Sequence, residues 1–222
     1  MIISISGKAG SGKDTVGKII QDLTKEDWQI KKYSDKLKDI VCILIGCTRE
    51  QLEDQEFKET PLGENWWYYS HSNGTFLIPY DGKGDDTYLV KLTPRMILQL
   101  IGTEGGRDLI HPDIWVNALY SDYRPLSYEK DSEGRIETVE EKWIITDSRF
   151  PNDVKRTREI GGILIRVNRA ECEGRENEHA SETALDDFNE WDHVIENNGT
   201  IEELIEQVRT IFKEEGIIKK KE

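Results

Sequence analysis

The sequence predicts an α/β fold in three layers, a parallel central sheet with helices on both faces, and three observations carry that prediction. Apolar strand-like runs alternate with amphipathic helical runs along the 222 residues, an order that favours parallel strands joined by helical crossovers. Ile2, Ile3 and Ile5 form a short buried run before a glycine-rich segment and a helical rhythm at Val16, Ile19, Ile20 and Leu23. A second apolar run, Trp143 to Thr146, ends on the carboxylate of Asp147. In open α/β sheets ligands gather at the carboxyl ends of strands, and both of these motifs fall there.

The remaining elements follow in chain order. Tyr33 to Ile45 reads as a helix with Leu37, Ile40, Val41 and Leu44 on one face, and Arg49 to Lys58 as acidic helix and loop. Residues 64–92 change character: Trp66, Trp67, Tyr68 and Tyr69 precede Ser72-Asn73-Gly74 and Asp81-Gly82, turn chemistry that predicts an inserted β-hairpin segment. Thr93-Pro94 has the form of a helix start, with Thr as cap and Pro in the first turn, and Gly102 is expected to end that helix. Pro112 to Tyr120 reads as the next helix, and the polar stretch Ser127 to Glu141 as an exposed connection. Asp153 to Ile160 is helical and stops at Gly161-Gly162. Ile163 to Val167 and His193 to Glu196 read as strands, and Ile201, Leu204, Ile205, Val208, Ile211 and Phe212 form the stripe of a last helix. The tail from Ile217 is expected to fray.

Composition narrows the function classes. Hydrophobic residues are 36% and charged residues 33%, as in a soluble globular protein. The net charge of -14 disfavours a nucleic acid polymer, which requires clustered Lys and Arg. It leaves room for a mononucleotide, because a few local cations can build a phosphate site in an acidic protein. Cys42, Cys47 and Cys172 form no CxxC pair and read as reduced thiols. The start MIISISG lacks the form of a signal peptide, and no stretch approaches transmembrane length. The expectation is a cytoplasmic protein without membrane contact.

Gly7-Lys8-Ala9-Gly10-Ser11-Gly12-Lys13 fits G-x-x-x-x-G-K, the phosphate loop of P-loop NTPases. Glycines let the backbone turn so that successive N–H groups face phosphate oxygens, and the helix N-terminus adds a favourable dipole. Lys13 has the reach for β and γ phosphates. The general pattern has Ser or Thr after the lysine, whereas here Asp14 precedes Thr15, so both Asp14 and Thr15 are candidates for magnesium. Asp147, at its strand end, has the chemistry to orient magnesium or to accept a proton, and Arg149 the fork to clamp a phosphate. The competing reading is a turn in which Asp147 is a cap.

The segments GKAGSGKDT, TPRMILQLIGTEGGRDLIHPDIWVNAL, WIITDSRFPND, HASETAL and VIENNGTIEEL together resemble the deoxynucleoside monophosphate kinases of bacteriophages. That family also carries Lys-Asp-Thr in its loop. The resemblance runs from Gly7 to Leu204 and is weakest in the aromatic segment 66–88. It implies one P-loop kinase domain over residues 1–222, with the insertion at 64–92, an acceptor-binding helical region and a lid near 166–182. It further implies ATP and Mg2+, γ-phosphoryl transfer to a dNMP giving dNDP, and a homodimer as a common state. Gly7, Ala9, Gly10, Ser11, Gly12, Lys13, Asp14 and Thr15 would bind ATP, with Asn198 and Gly199 beside the adenine. Lys38, Arg95, Arg107, Trp115, Asp147, Arg149 and Asp153 match acceptor-side positions. Trp115 is flat enough to stack on a base, but it shares a helical face with Ala118 and Leu119 and reads equally as core. The family often has Glu at the position of Asp153. Arg166, Arg169 and Arg175 are lid candidates for the transferring phosphoryl group, with Arg169 chosen beside Lys13, Asp147 and Arg149 as catalytic. His179 is read as a hydrogen-bonding residue. Two other readings stand beside this one: a P-loop kinase of another small phosphorylated metabolite, and a nucleotide-binding regulatory protein without an acceptor.

Overall fold

All five residues of β1 (Ile2–Ser6) are buried, the mark of a central strand covered on both faces. The computed structural model describes residues 1–24, 27–71, 77–79, 86–130, 136–172 and 180–218. After β1 come α1 (Lys13–Thr24), β2 (Trp28–Lys31), α2 (Asp35–Ile45), α3 (Arg49–Glu53) and α4 (Gln55–Glu59). Next are β3 (Trp67–His71), β4 (Leu77–Pro79), β5 (Thr87–Lys91) and α5 (Pro94–Gln99), which runs into a π-helix at Leu100–Ile110. Then follow α6 (Ile114–Tyr120), β6 (Ser127–Lys130), β7 (Ile136–Val139), β8 (Lys142–Ser148), α7 (Pro151–Glu159) and β9 (Ile163–Asn168). Last come α8 (Ala180–Thr183), β10 (His193–Glu196) and α9 (Ile201–Glu214). Met1–Tyr33 with Val116–Glu222 makes one compact unit, and Ser34–Trp115 makes a second.

The first unit holds a five-stranded sheet in the order β10-β9-β1-β8-β2, parallel throughout. Ile3, Ile5, Ile144, Ile165 and Ile195 face one side, where Val16, Ile19 and Ile20 of α1 and Leu204, Val208 and Phe212 of α9 cover them. On the other side Val154 of α7 packs with Leu164 and Leu185, and Trp143 meets the ring of Tyr123 at 4.9 Å between centroids. Helices therefore flank the parallel sheet on both faces, and the unit has the α/β architecture of a P-loop kinase. The Thr200 hydroxyl accepts the Glu203 N–H at 3.3 Å while the Glu203 carboxylate accepts the Thr200 N–H at 2.8 Å, a capping box that fixes the start of α9.

The second unit combines helices α2 to α5 with a three-stranded antiparallel sheet, order β4-β3-β5. The aromatic insertion thus forms strands, as expected; its residues 72–76 and 80–85 lie outside the described ones. Thr93 caps α5 by accepting the Met96 N–H at 3.2 Å, with Pro94 in the first turn. Gly102 does not end that helix. The chain continues to Ile110 as a π-helix, and His111 still donates to the Gly106 carbonyl at 3.0 Å. Gly106 is required there, because a Cβ would run into the Ile101 carbonyl and lie 3.1 Å from the Trp115 ring. Two further strand pairings have no counterpart in the sequence reading. Trp28–Lys31 pairs with β8 as the sheet edge, and the exposed connection Ser127 to Glu141 contains the antiparallel pair β6–β7. Tyr128 and Ile136 on that pair are 74% and 69% exposed, so its sequence carries no buried stripe to reveal it.

Candidate active site

The glycine-rich turn follows directly from the carboxyl end of β1. Gly7, Gly10 and Gly12 have φ of 154°, 84° and 101°, backbone that side chains rarely adopt. Space is decisive as well: a Cβ on Gly7 would overlap the Val167 carbonyl oxygen, and one on Gly12 would overlap the Asn197 amide. The Asn197 amide also donates to the Ser11 carbonyl at 2.8 Å, so the strand end after β10 braces the loop.

Lys13 begins α1 and is buried, its Nζ donating to the carbonyls of Gly7 and Lys8 at 2.7 Å each. Burial, then the nearby Arg149 charge, lowers its pKa from the usual 10.5 to about 8, against the opposing pull of Asp14 and Asp147. Two cations held together beside backbone N–H groups suit an anion of more than one charge. The Asp14 carboxylate accepts the Thr146 hydroxyl at 2.7 Å and pairs with Lys32 at 2.8 Å. Burial works to raise its pKa, but the bonds from Lys32 and Thr146 outweigh it and hold Asp14 below the usual carboxylate range. No cluster of three His, Cys, Asp or Glu side chains suited to a metal occurs among the described residues. Magnesium in phosphoryl transfer sites commonly takes one or two carboxylates together with substrate phosphates, so an ionised Asp14 next to an exposed Thr15 fits that cation.

At the end of β8 the Asp147 carboxylate accepts the Tyr33 N–H at 2.8 Å, which ties β8 to the chain leaving β2. Asp153, 1% exposed, accepts the N–H groups of Arg149 and Phe150, both at 3.0 Å. Its carboxylate therefore fixes the backbone that carries Arg149 at the start of α7. Removing a buried carboxylate with two such bonds costs about 2–3 kcal/mol. We expect Asp153→Ala to lower the melting temperature by that equivalent, read by calorimetry.

Glu182 of α8, to which the sequence reading gave no role, meets the loop at this point. One oxygen accepts the Ala9 N–H at 2.9 Å and the other pairs with the Arg149 guanidinium. Lys8, 5% exposed, donates to the Glu182 carbonyl and to the Asp186 carboxylate at 2.8 Å each. The signal was the HASET segment itself, but its use depends on contacts 173 residues away in sequence.

A cavity of about 430 Å³ opens beside the loop, lined by Gly10, Gly12, Lys13, Asp14, Thr15, Arg169, Asn197, Ile201 and Leu204. It gathers half of the candidate nucleotide residues, Gly10 and Gly12 to Thr15, with Arg169, one of the arginines named as lid candidates. Arg169 pairs with Glu171 at 2.8 Å, and Arg166 bonds the Ser6 hydroxyl at 3.2 Å. Arg175 and His179, with the rest of 173–179, lie outside the described residues. The sequence reading named Asn198 and Gly199, whereas Asn197 is the residue that lines the cavity. Asn198 instead accepts the Ala170 N–H at 2.8 Å, and Gly199 lies against the Glu203 side chain.

Lys38, Arg95, Arg107 and Trp115 belong to the second unit. There Lys38 pairs with Glu53 at 2.6 Å, Arg95 pairs with Glu59, and Arg107 donates to the Pro112 carbonyl at 3.3 Å. Trp115 is buried and donates to the Gly102 carbonyl at 2.7 Å, so the packing matches the core reading of that residue.

Comparison with known proteins adds a family to this geometry. The chain is 28% identical to the deoxynucleoside-5'-monophosphate kinase of Escherichia phage T5, over 83% of its own length and 85% of that protein. It is also 28% identical to a protein of Acanthamoeba polyphaga mimivirus named as a putative deoxynucleotide monophosphate kinase, over 94% of each. The family model described as Deoxynucleotide monophosphate kinase matches residues 86–208, more than half of the chain. With its glycine loop, strand-end carboxylate and parallel sheet, this chain belongs to the deoxynucleotide monophosphate kinase family.

Proposed function

We propose that the chain transfers the γ-phosphoryl group of ATP to a deoxynucleoside monophosphate, giving ADP and a dNDP. The observation that carries this reading is a glycine loop whose carbonyls hold the buried Lys13 ammonium and whose Ala9 N–H is joined to Arg149 through Glu182, in a chain of this family. ATP lies along residues 7–15 with its polyphosphate toward Lys13, and Asn197 and Arg169 line the same cavity. Asp147 and Arg149 serve the acceptor. The resemblance assigns Lys38, Arg95, Arg107 and Trp115 to the acceptor as well. An acceptor phosphate oxygen forms a bond to the γ phosphorus as the bond to the β,γ-bridging oxygen breaks, and ADP leaves with that electron pair. Lys13, Arg149 and Arg169 balance the charge that spreads over the phosphoryl oxygens. Magnesium, held through Asp14 or Thr15, would add charge neutralisation at the phosphates.

The net charge of -14 favours small nucleotides over a nucleic acid polymer as partners in this reading. No helix among the described residues is long and apolar enough to cross a membrane. The cytoplasm, where ATP is supplied, is the compartment inferred, and a homodimer rests on the resemblance alone. Purified protein incubated with ATP, magnesium and each dNMP or NMP should form ADP and dNDP in equal amounts. Binding of ATP without transfer to any monophosphate would overturn the reading in favour of another acceptor or a regulatory role.

A further inference from the structure

We propose that Glu182 is a carboxylate stand-in for a phosphoryl group: it holds the Ala9 N–H and Arg149 until phosphate displaces it, and so sets how tightly the loop takes polyphosphate. The inference rests on the reading of residues 7–15 as the phosphate site. Its basis is that both Glu182 oxygens engage groups which that reading gives to phosphate. One accepts a loop N–H at 2.9 Å and the other meets the arginine whose charge also acts on Lys13. A structural ion pair has no need of a phosphate-loop N–H. A carboxylate oxygen and a phosphate oxygen accept from the same backbone N–H and guanidinium donors, so they compete for Ala9 and Arg149.

The way α8 is attached supports an exchange of this kind. Lys8 holds the Glu182 backbone carbonyl and Asp186, both at 2.8 Å, and none of these bonds involves the Glu182 carboxylate. A rotation of the Glu182 side chain releases Ala9 and Arg149 while α8 keeps its anchor on the loop. The side chain is 17% exposed, so it has a path toward solvent. Once phosphate is bound, the displaced carboxylate repels it from a few ångströms away. Glu182 thereby weakens polyphosphate binding, and it keeps Arg149 extended toward the loop until phosphate arrives.

The test is titration of inorganic tripolyphosphate into wild-type protein and Glu182→Gln by calorimetry, with thermal melting of each to verify the fold. Glu182→Gln keeps the shape and removes the charge, and it should bind tripolyphosphate about tenfold more tightly. In an Arg149→Met background the same change should gain less than about threefold, because the contested cation is gone. Should Glu182→Gln lose the fold, Glu182→Asp, which draws the carboxylate back by one methylene, should bind more tightly than wild type by a smaller factor. Equal or weaker binding in the folded variants overturns the stand-in role and leaves Glu182 as a strut. Failure of every protein, wild type included, to bind tripolyphosphate would instead overturn the phosphate-site reading beneath it.

Discussion

Lys13→Ala should lower phosphoryl transfer by about a thousandfold while leaving the fold intact. The Lys13 ammonium is buried at the end of the loop, and two loop carbonyls at 2.7 Å aim it. Stability should change little, because the protein no longer buries a charge whose pKa burial has already pulled from 10.5 to about 8. A coupled assay of ADP release and a calorimetric melt are the measurements. Activity within about tenfold of wild type would remove Lys13 from the mechanism.

The same lysine predicts a pH dependence whose sign can be worked out. Phosphate is bound by the protonated ammonium, so nucleotide affinity should fall as pH rises through about 8. Bound phosphate favours the proton on Lys13, so binding near pH 8 should take up protons, while binding at pH 6.5 should take up almost none. Calorimetry in buffers of different ionisation enthalpy reads this uptake. For folding the sign is opposite. Between about 8 and 10.5 the unfolded chain keeps a proton that the folded one has lost, so the contribution of Lys13 to stability rises with pH across that window. Below about 8 the cost of the buried cation is present in full.

Arg149→Met should reduce transfer by about a hundredfold or more, with most of the loss in kcat. Its distinguishing effect should appear at Lys13. The Arg149 charge is the second-largest cause of the lowered Lys13 pKa, after burial. Without it, the proton uptake on binding should move to higher pH than in wild type. Met keeps much of the aliphatic stem, so packing loss alone does not explain a shift of that kind. An unchanged midpoint with unchanged kcat would show that Arg149 acts elsewhere. Asp153 supports this residue from below through the N–H groups of Arg149 and Phe150. The two effects are separable, since Asp153→Ala should appear first in the melt and Arg149→Met first in the rate.

Where chemistry is local, the sequence by itself determined the outcome. The glycines at 7, 10 and 12 need their φ values within one turn, Lys13 follows at the first helical position, and the apolar run of β1 precedes them. Caps at Thr93 and Thr200 bond only three residues ahead, so α5 and α9 start where their sequences say. Elements without a strong stripe were not legible: β2 is four residues long, and β6–β7 expose their large side chains. The helix runs on through Gly102, and there Trp115 donates to the Gly102 carbonyl and its ring lies against Gly106, contacts that no propensity encodes.

The tertiary structure alone decided which residues meet at the loop. The strand order β10-β9-β1-β8-β2 brings the ends of β1, β8, β9 and β10 together, although they are spread from Ser6 to Glu196. That order gives Asn197 rather than Asn198 to the cavity, and it lies behind the contact of Glu182 with Ala9 and Arg149. The physical reason is that periodicity and propensity describe neighbours along the chain. Strand order and the side-chain contacts across it depend on how apolar faces from distant segments are buried together.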